Sequence, residues 1–205
     1  MTRKRVAVLI SGRGSNMMAL IEAARAQDYP AQIVLVVSNR PDASGLTRAQ
    51  QAGIATVIVD HQKFGDDREA FERALDAELE ARGIEIVCLA GFMRLLTPWF
   101  VARWSGRMLN IHPALLPQFK GLHTHRRALE AGVDRHGATV HFVSVEMDSG
   151  PIIAQDSVPV VPGDTEETLA RRVLEVEHHL YPQALRLVAE GRTTFSPAGA
   201  SKSAR

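Results

Sequence analysis

The run Val6-Ala7-Val8-Leu9-Ile10, followed at once by Ser11-Gly12-Arg13-Gly14-Ser15-Asn16, decides the fold. Five consecutive apolar residues, three of them β-branched, suit a strand buried on both faces, as in a parallel sheet. The glycine-rich loop turns the chain, and Met17 to Ala26 then reads as a helix. Strand, tight loop and helix in that order open a βαβ unit. The loop's backbone N–H groups and the helix N-terminus form a cradle suited to phosphate. Met17 stands where the dinucleotide fingerprint needs a third glycine, and Gly-Lys-Ser/Thr is absent. The loop therefore fits a monophosphate better than a dinucleotide or triphosphate. Its alternative is a tight turn without a ligand.

Outward from this unit the alternation repeats. Strands are expected at Ile33–Val37, Ala55–Val59, Ile84–Ala90 and Met108–His112. Helices are expected at Asp42–Gln51, Asp66–Arg82 and Pro98–Trp104, the second with Phe71, Ala74, Leu75 and Leu79 along one side. The rhythm predicts an α/β fold: an open, mostly parallel sheet with helices on both faces. The second half changes character. Ala138–Val143 and Ile152–Val160 read as strands on either side of the turn signal Asp148-Ser149-Gly150-Pro151. They predict an antiparallel hairpin in the C-terminal half. A last helix is expected from Asp164, capped through Glu167, to Glu190, stopping at Gly191. One domain over residues 1–195 is expected, with 196–205 a disordered tail.

Composition narrows the function classes. Apolar residues make up 45% and charged residues 23% of 205, an ordinary globular balance. A net charge of +1 offers no bulk attraction for nucleic acid or an anionic membrane. No apolar run approaches the roughly 20 residues that span a bilayer, and the N-terminus lacks the pattern of a signal peptide. The expected location is the cytoplasm. Cys88, the lone cysteine, lies in an apolar run and reads as a small core residue. Trp99 and Trp104, with Phe100, read as core, with a lid over a pocket as the alternative.

Chemistry concentrates in Leu109-Asn110-Ile111-His112-Pro113-Ala114-Leu115-Leu116-Pro117. Side chains two apart on a strand share a face, so Asn110 and His112 point the same way and Ile111 points into the core. Pro113 ends the strand. An amide and an imidazole at a strand end can polarise a carbonyl and move a proton, which suits acyl-type transfer. Asp148 sits at the predicted hairpin tip. If that tip folds back over the strand end, its carboxylate raises the His112 pKa. Its alternative is a turn aspartate capping its own backbone. Arg68 and Glu177 lie on helices whose charged residues are ordinarily solvated. His123-Thr124-His125 and His178-His179 lack the spacing of a zinc site, so no metal is expected.

Five segments, in order, resemble the phosphoribosylglycinamide formyltransferases, part of the formyl-tetrahydrofolate transferase group: residues 11–16, Ala90-Gly91-Phe92-Met93-Arg94, Asn110 to Pro117, Gly121-Leu122-His123-Thr124-His125 and Asp148-Ser149-Gly150-Pro151. The resemblance covers Val6 to about Gly191. It implies that the amine of glycinamide ribonucleotide attacks the formyl carbon of 10-formyltetrahydrofolate, a co-substrate, and that no metal takes part. It implies that Asn110 bonds the developing oxyanion and that protonated His112 stabilises the same charge and donates to the leaving nitrogen. Asp148 would keep His112 charged. Gly14, Ser15 and Asn16 would hold the phosphate, with Arg68 and Glu177 on the ribonucleotide. Met93, Arg94, Leu95 and Leu96, with Asn110 and Val143, Ser144, Val145, Glu146, Met147 and Asp148, would line the folate pocket. The implied partners are these small molecules, with the enzyme a monomer or homodimer. Ala114 and Ser149 depart from the family pattern, where Ser and Gly are usual. The rivals are a formyltetrahydrofolate hydrolase and a methionyl-tRNA formyltransferase, each expected to need a further domain, and a non-catalytic nucleotide-binding module.

Overall fold

The computed structural model describes residues 2–195. The expected tail, residues 196–205, lies outside the described residues. Seven strands form one sheet: β1 (Lys4–Ile10), β2 (Ala31–Ser38), β3 (Ala55–Ile58), β4 (Ile86–Leu89), β5 (Met108–His112), β6 (Arg135–Phe142) and β7 (Ile152–Pro159). Their order is β3-β2-β1-β4-β5-β6-β7. The first five strands in that order pair parallel, β6 is antiparallel to β5, and β7 is antiparallel to β6. The α-helices among the described residues are α1 (Ser15–Ala23), α2 (Ser44–Gln51), α3 (Arg68–Ala81), α4 (Pro98–Arg103), α5 (Thr124–Glu130) and α6 (Glu166–Ala189). The predicted mostly parallel α/β sheet with a C-terminal antiparallel element is the one observed.

Strand alternation on β1 builds two cores. Val6, Val8 and Ile10 face a layer made by α1, α2 and α6, through Met17, Leu20, Leu46, Leu169, Val173 and Leu185. Ala7 and Leu9 face α3 and α4, through Phe71, Leu75, Leu79, Phe100 and Val101. Burying a Leu or Phe side chain this way contributes roughly 1.5–3 kcal/mol each. Trp104 belongs to the second core and donates from Nε1 to Asp76 at 2.8 Å.

Two details differ from expectation. The cap of α6 is Thr165 rather than Asp164: its hydroxyl accepts from the Thr168 N–H, and the Thr168 hydroxyl bonds back. Asp164 instead takes the Val161 N–H at 2.8 Å and pairs with Arg172. The β6–β7 connection is not a tight hairpin but a longer loop, residues 143–151. It folds back toward β5, and Gly150 sits against the Phe142 carbonyl where a Cβ would collide with backbone.

The sheet order reverses between β1 and β4, and both strands, with β5, end on the same edge. Open α/β sheets bind ligands there. Tyr181 of α6 ties this edge together, its hydroxyl 3.0 Å from the Leu89 carbonyl and 3.1 Å from that of Leu109.

Candidate active site

At the end of β5, His112 is buried (5% exposed) and Asn110 half-buried. In register, Asn110 faces His141 of β6 and His112 faces Thr139. The His112 Nε2 lies 2.9 Å from the Phe119 carbonyl, which can only accept, so Nε2 carries the proton. The other ring nitrogen, Nδ1, lies 3.4 Å from Asp148 Oδ2. The loop 143–151 thus brings the carboxylate to the imidazole, the folded-back of the two arrangements the sequence left open. Asp148 adopts a left-handed φ of 50° and accepts the Gly121 N–H at 2.9 Å. Its orientation is therefore set by the 117–123 loop rather than by its own turn.

The geometry adds a residue that the sequence reading missed. His141 is buried, with Nδ1 2.8 Å from the Phe142 carbonyl and Nε2 3.2 Å from Asn110 Nδ2. The carbonyl fixes the proton on Nδ1, so Nε2 accepts from the Asn110 amide. That bond orients Asn110 and leaves one amide N–H available to a further acceptor. Asp148 Oδ1 lies 3.7 Å from the same imidazole nitrogen. The available signal was strand pairing: His141 lies on β6 opposite Asn110.

The electrostatics correct one expectation. Burial pushes the His112 pKa below its usual value, and the Phe119 carbonyl and the Asp148 charge offset this only in part. Asp148 raises the imidazole, as expected, but desolvation outweighs it. For Asp148, burial works to raise the carboxyl, yet the His141 and His112 imidazoles and the Gly121 N–H together hold it below the ordinary carboxylate value.

A cavity of about 400 Å³ opens at the ends of β1, β2 and β4, lined by residues 11–16, Asn39, Arg40, His61, Ala90, Gly91, Met93 and Arg94; Asn110, His112 and Asp148 are not among its lining residues. Gly14, at a φ of 68°, caps α1 and aims the helix N-terminus into it. Ser15 and Asn16 sit on the first turn. Asn16 donates to the buried Glu177 carboxylate at 2.6 Å, and its own Oδ1 is buried without a partner among the described residues. Glu177 therefore faces the glycine loop, not solvent, and burial raises its pKa against the Asn16 bond. Ser11 and Asn39 support the loop, Ser11 Oγ donating to Asn39 Oδ1 at 2.6 Å.

The structure does not gather every expected residue. Arg68 opens α3 with an exposed side chain and is not among the cavity's lining residues. Met93 and Leu95 are 68% and 60% exposed, Leu96 packs partly against the α3 core, and Arg94 lies over the Phe71 ring at 5.5 Å. Val143 packs against the same core, while Ser144, Val145, Glu146 and Met147 continue into the exposed arm that leads to Asp148. Ser149, one of the two departures, accepts from Lys120 Nζ at 2.5 Å and so links the Asp148 tip to the 117–123 loop. Ala114, the other, is fully buried, and its carbonyl accepts from Thr139 at 2.6 Å. Among the described residues no group of three His, Cys, Asp or Glu side chains is placed to hold a metal.

Comparison with known proteins agrees with this geometry. A family described as formyl transferase matches residues 4–185. Phosphoribosylglycinamide formyltransferase of Escherichia coli (strain K12) is 49% identical over 187 residues, covering 91% of this chain and 88% of that protein. The trifunctional purine biosynthetic protein adenosine-3 of Gallus gallus is 52% identical over 195 residues, but this chain spans only 19% of its length. Among solved structures, phosphoribosylglycinamide formyltransferase from Brucella melitensis superposes with a TM-score of 0.89 at 53% identity, covering 95% of this chain and all of that one (100%). Glycinamide ribonucleotide transformylase 1 from Symbiobacterium toebii gives 0.91 at 47%, covering 95% and 92%. The chain belongs to the formyl transferase family, and within it to the phosphoribosylglycinamide formyltransferases.

Proposed function

We propose that the protein transfers the formyl group of 10-formyltetrahydrofolate to the amine of glycinamide ribonucleotide, a step of purine biosynthesis. The observation that carries this reading is the convergence of Asn110, His112 and Asp148 at the end of β5, on the sheet edge where the glycine loop after β1 lines a cavity. The ribonucleotide phosphate sits on Gly14, Ser15 and Asn16. Glu177, held by Asn16, accepts from ribose hydroxyls, and Arg68 swings in to the phosphate. The folate lies against Met93 to Leu96 and the arm from Val143 to Asp148.

The substrate amine attacks the formyl carbon and a C–N bond forms. The carbonyl oxygen becomes an oxyanion, which the free Asn110 N–H and the His112 imidazolium stabilise. The ammonium of the intermediate loses a proton toward the Asp148 carboxylate, through water. The bond from the formyl carbon to folate N10 then breaks as N10 takes a proton from His112. Atoms and charge balance: the ammonium proton passes from Asp148 to His112 Nδ1 before His112 gives one to N10, formylated ribonucleotide and tetrahydrofolate leave, and the imidazole ends neutral as it began. His112 Nε2–H points at the Phe119 carbonyl in the unliganded protein. In this scheme the formyl oxygen replaces that carbonyl, and the imidazole, neutral when empty, charges as the oxyanion develops.

The reading takes residues 1–195 as a single formyltransferase domain working in the cytoplasm, as a monomer or homodimer, with no metal and no nucleic-acid partner. No helix among the described residues is long and apolar enough to cross a membrane. Formyl-folate turnover with and without glycinamide ribonucleotide tests the function. Transfer that depends on the ribonucleotide supports it. Formate release without an amine indicates a hydrolase, and no turnover at all indicates a binding module.

A further inference from the structure

The segment between β4 and α4, residues 90–97, has no regular secondary structure. It nonetheless carries Met93, Arg94, Leu95 and Leu96, the folate-facing residues of the reading above. Its start is held by Ser11, whose hydroxyl accepts the Met93 N–H at 2.8 Å. Its end is held by Glu72 of α3. That carboxylate accepts the Thr97 N–H at 2.7 Å and the Thr97 hydroxyl. Between them, the Arg94 guanidinium lies over Phe71, the neighbour of Glu72.

Glu72 is 1% exposed and has no ion-pair partner among the described residues. Desolvating a carboxylate costs several kcal/mol, and an apolar side chain on this face would pack beside Phe71 and Leu75. Capping α4 does not require it, because the Thr97 hydroxyl already reaches the Phe100 N–H at 3.4 Å. A buried charge contributes little to stability, but its bonds are directional and fix one conformation of what they hold. What Glu72 holds is the folate-facing segment. It does so one helical turn from Arg68, on the same side of α3.

We propose that Glu72 is a positioning residue for the formyl-folate site: through Thr97 it sets the path of residues 93–97, and its helix joins that segment to the Arg68 end of the ribonucleotide site. The inference rests on the formyl-transfer reading.

The test is steady-state kinetics of Glu72→Met and Glu72→Gln beside the wild-type protein, varying each substrate in turn, with melting temperatures recorded. Losing a charge-assisted hydrogen bond corresponds to about a tenfold effect. Glu72→Met should raise KM for 10-formyltetrahydrofolate by that factor and KM for glycinamide ribonucleotide by less than about twofold. Glu72→Gln keeps one acceptor for the Thr97 N–H and should recover most of the loss. If Glu72→Met does not fold, Glu72→Asp, one methylene too short to reach Thr97, should show the same one-sided rise. Equal rises in both KM values, or a lower melting temperature with unchanged KM values, would overturn the proposal. A wild-type protein without formyl transfer overturns the functional reading instead, so the two failures are distinguishable.

Discussion

His112 meets Asp148 through Nδ1, at 3.4 Å, with Nε2 committed to the Phe119 carbonyl at 2.9 Å. The contact turns a lone-pair nitrogen toward a carboxylate, an arrangement that favours adding a proton between them. Burial opposes it, and burial prevails. The imidazole is thus held neutral but close to a group that rewards its charging.

This balance predicts a titration. The His112 ring should titrate below its usual value of 6.5 in the free protein, followed by NMR of ring carbons. In Asp148→Asn the carboxylate charge is gone, so the midpoint should fall further. A midpoint that stays put or rises would show that Asp148 does not act on this imidazole.

A second histidine predicts an acid limb of stability. His136 is buried beside His125, their ring centroids 5.2 Å apart, and burial followed by that neighbour's charge lowers its pKa to about 4. The unfolded chain binds the proton near 6.5 and the folded chain only near 4, so stability is complete above 6.5 and declines as pH falls through this window. At about 1.4 kcal/mol per unit, the loss is up to about 3 kcal/mol. Urea titrations at pH 7 and pH 4 measure it, and His136→Leu should flatten the difference.

The backbone at Gly150 predicts a change of both stability and rate. Alanine there places Cβ against the Phe142 carbonyl. Gly150→Ala should cost about 1–3 kcal/mol of stability, as overpacking does. It should also lower kcat by displacing Asp148, two residues away. Thermal melting and initial rates check both, and an unchanged rate would show that the tip tolerates movement.

On the ribonucleotide side, Glu177→Ala and Arg68→Ala should each raise KM for glycinamide ribonucleotide about tenfold, with KM for formyl-folate little changed. Arg68 is the sharper case, because its exposed side chain is not among the residues lining the cavity. If Arg68→Ala leaves KM unchanged, Arg68 does not swing in.

Much of this was legible in the residues. The buried strand Val6–Ile10 and its glycine loop announced the parallel sheet, because periodicity and turn chemistry are local. Asn110 and His112 announced a polar face at a strand end for the same reason. The placement of Asp148 was not local: it depends on how residues 143–151 fold back and on the Gly121 N–H. His141 needed the β5–β6 register, which a single strand does not specify. Glu177 and Glu72 look like solvated helix residues in sequence, and only packing reveals that both are buried. The net direction of the His112 shift depends on burial, which the Asp–His pairing does not disclose.

The central claim is that Asn110, His112 and Asp148 act together on the formyl carbonyl. The most direct test is the single-turnover rate of formyl transfer to glycinamide ribonucleotide by Asp148→Asn and His112→Ala, both substrates saturating. The account predicts rates lower by about 10²–10⁴, the usual contribution of a positioned proton-transfer group, with formyl-folate still bound. Transfer at the wild-type rate in both variants would contradict it.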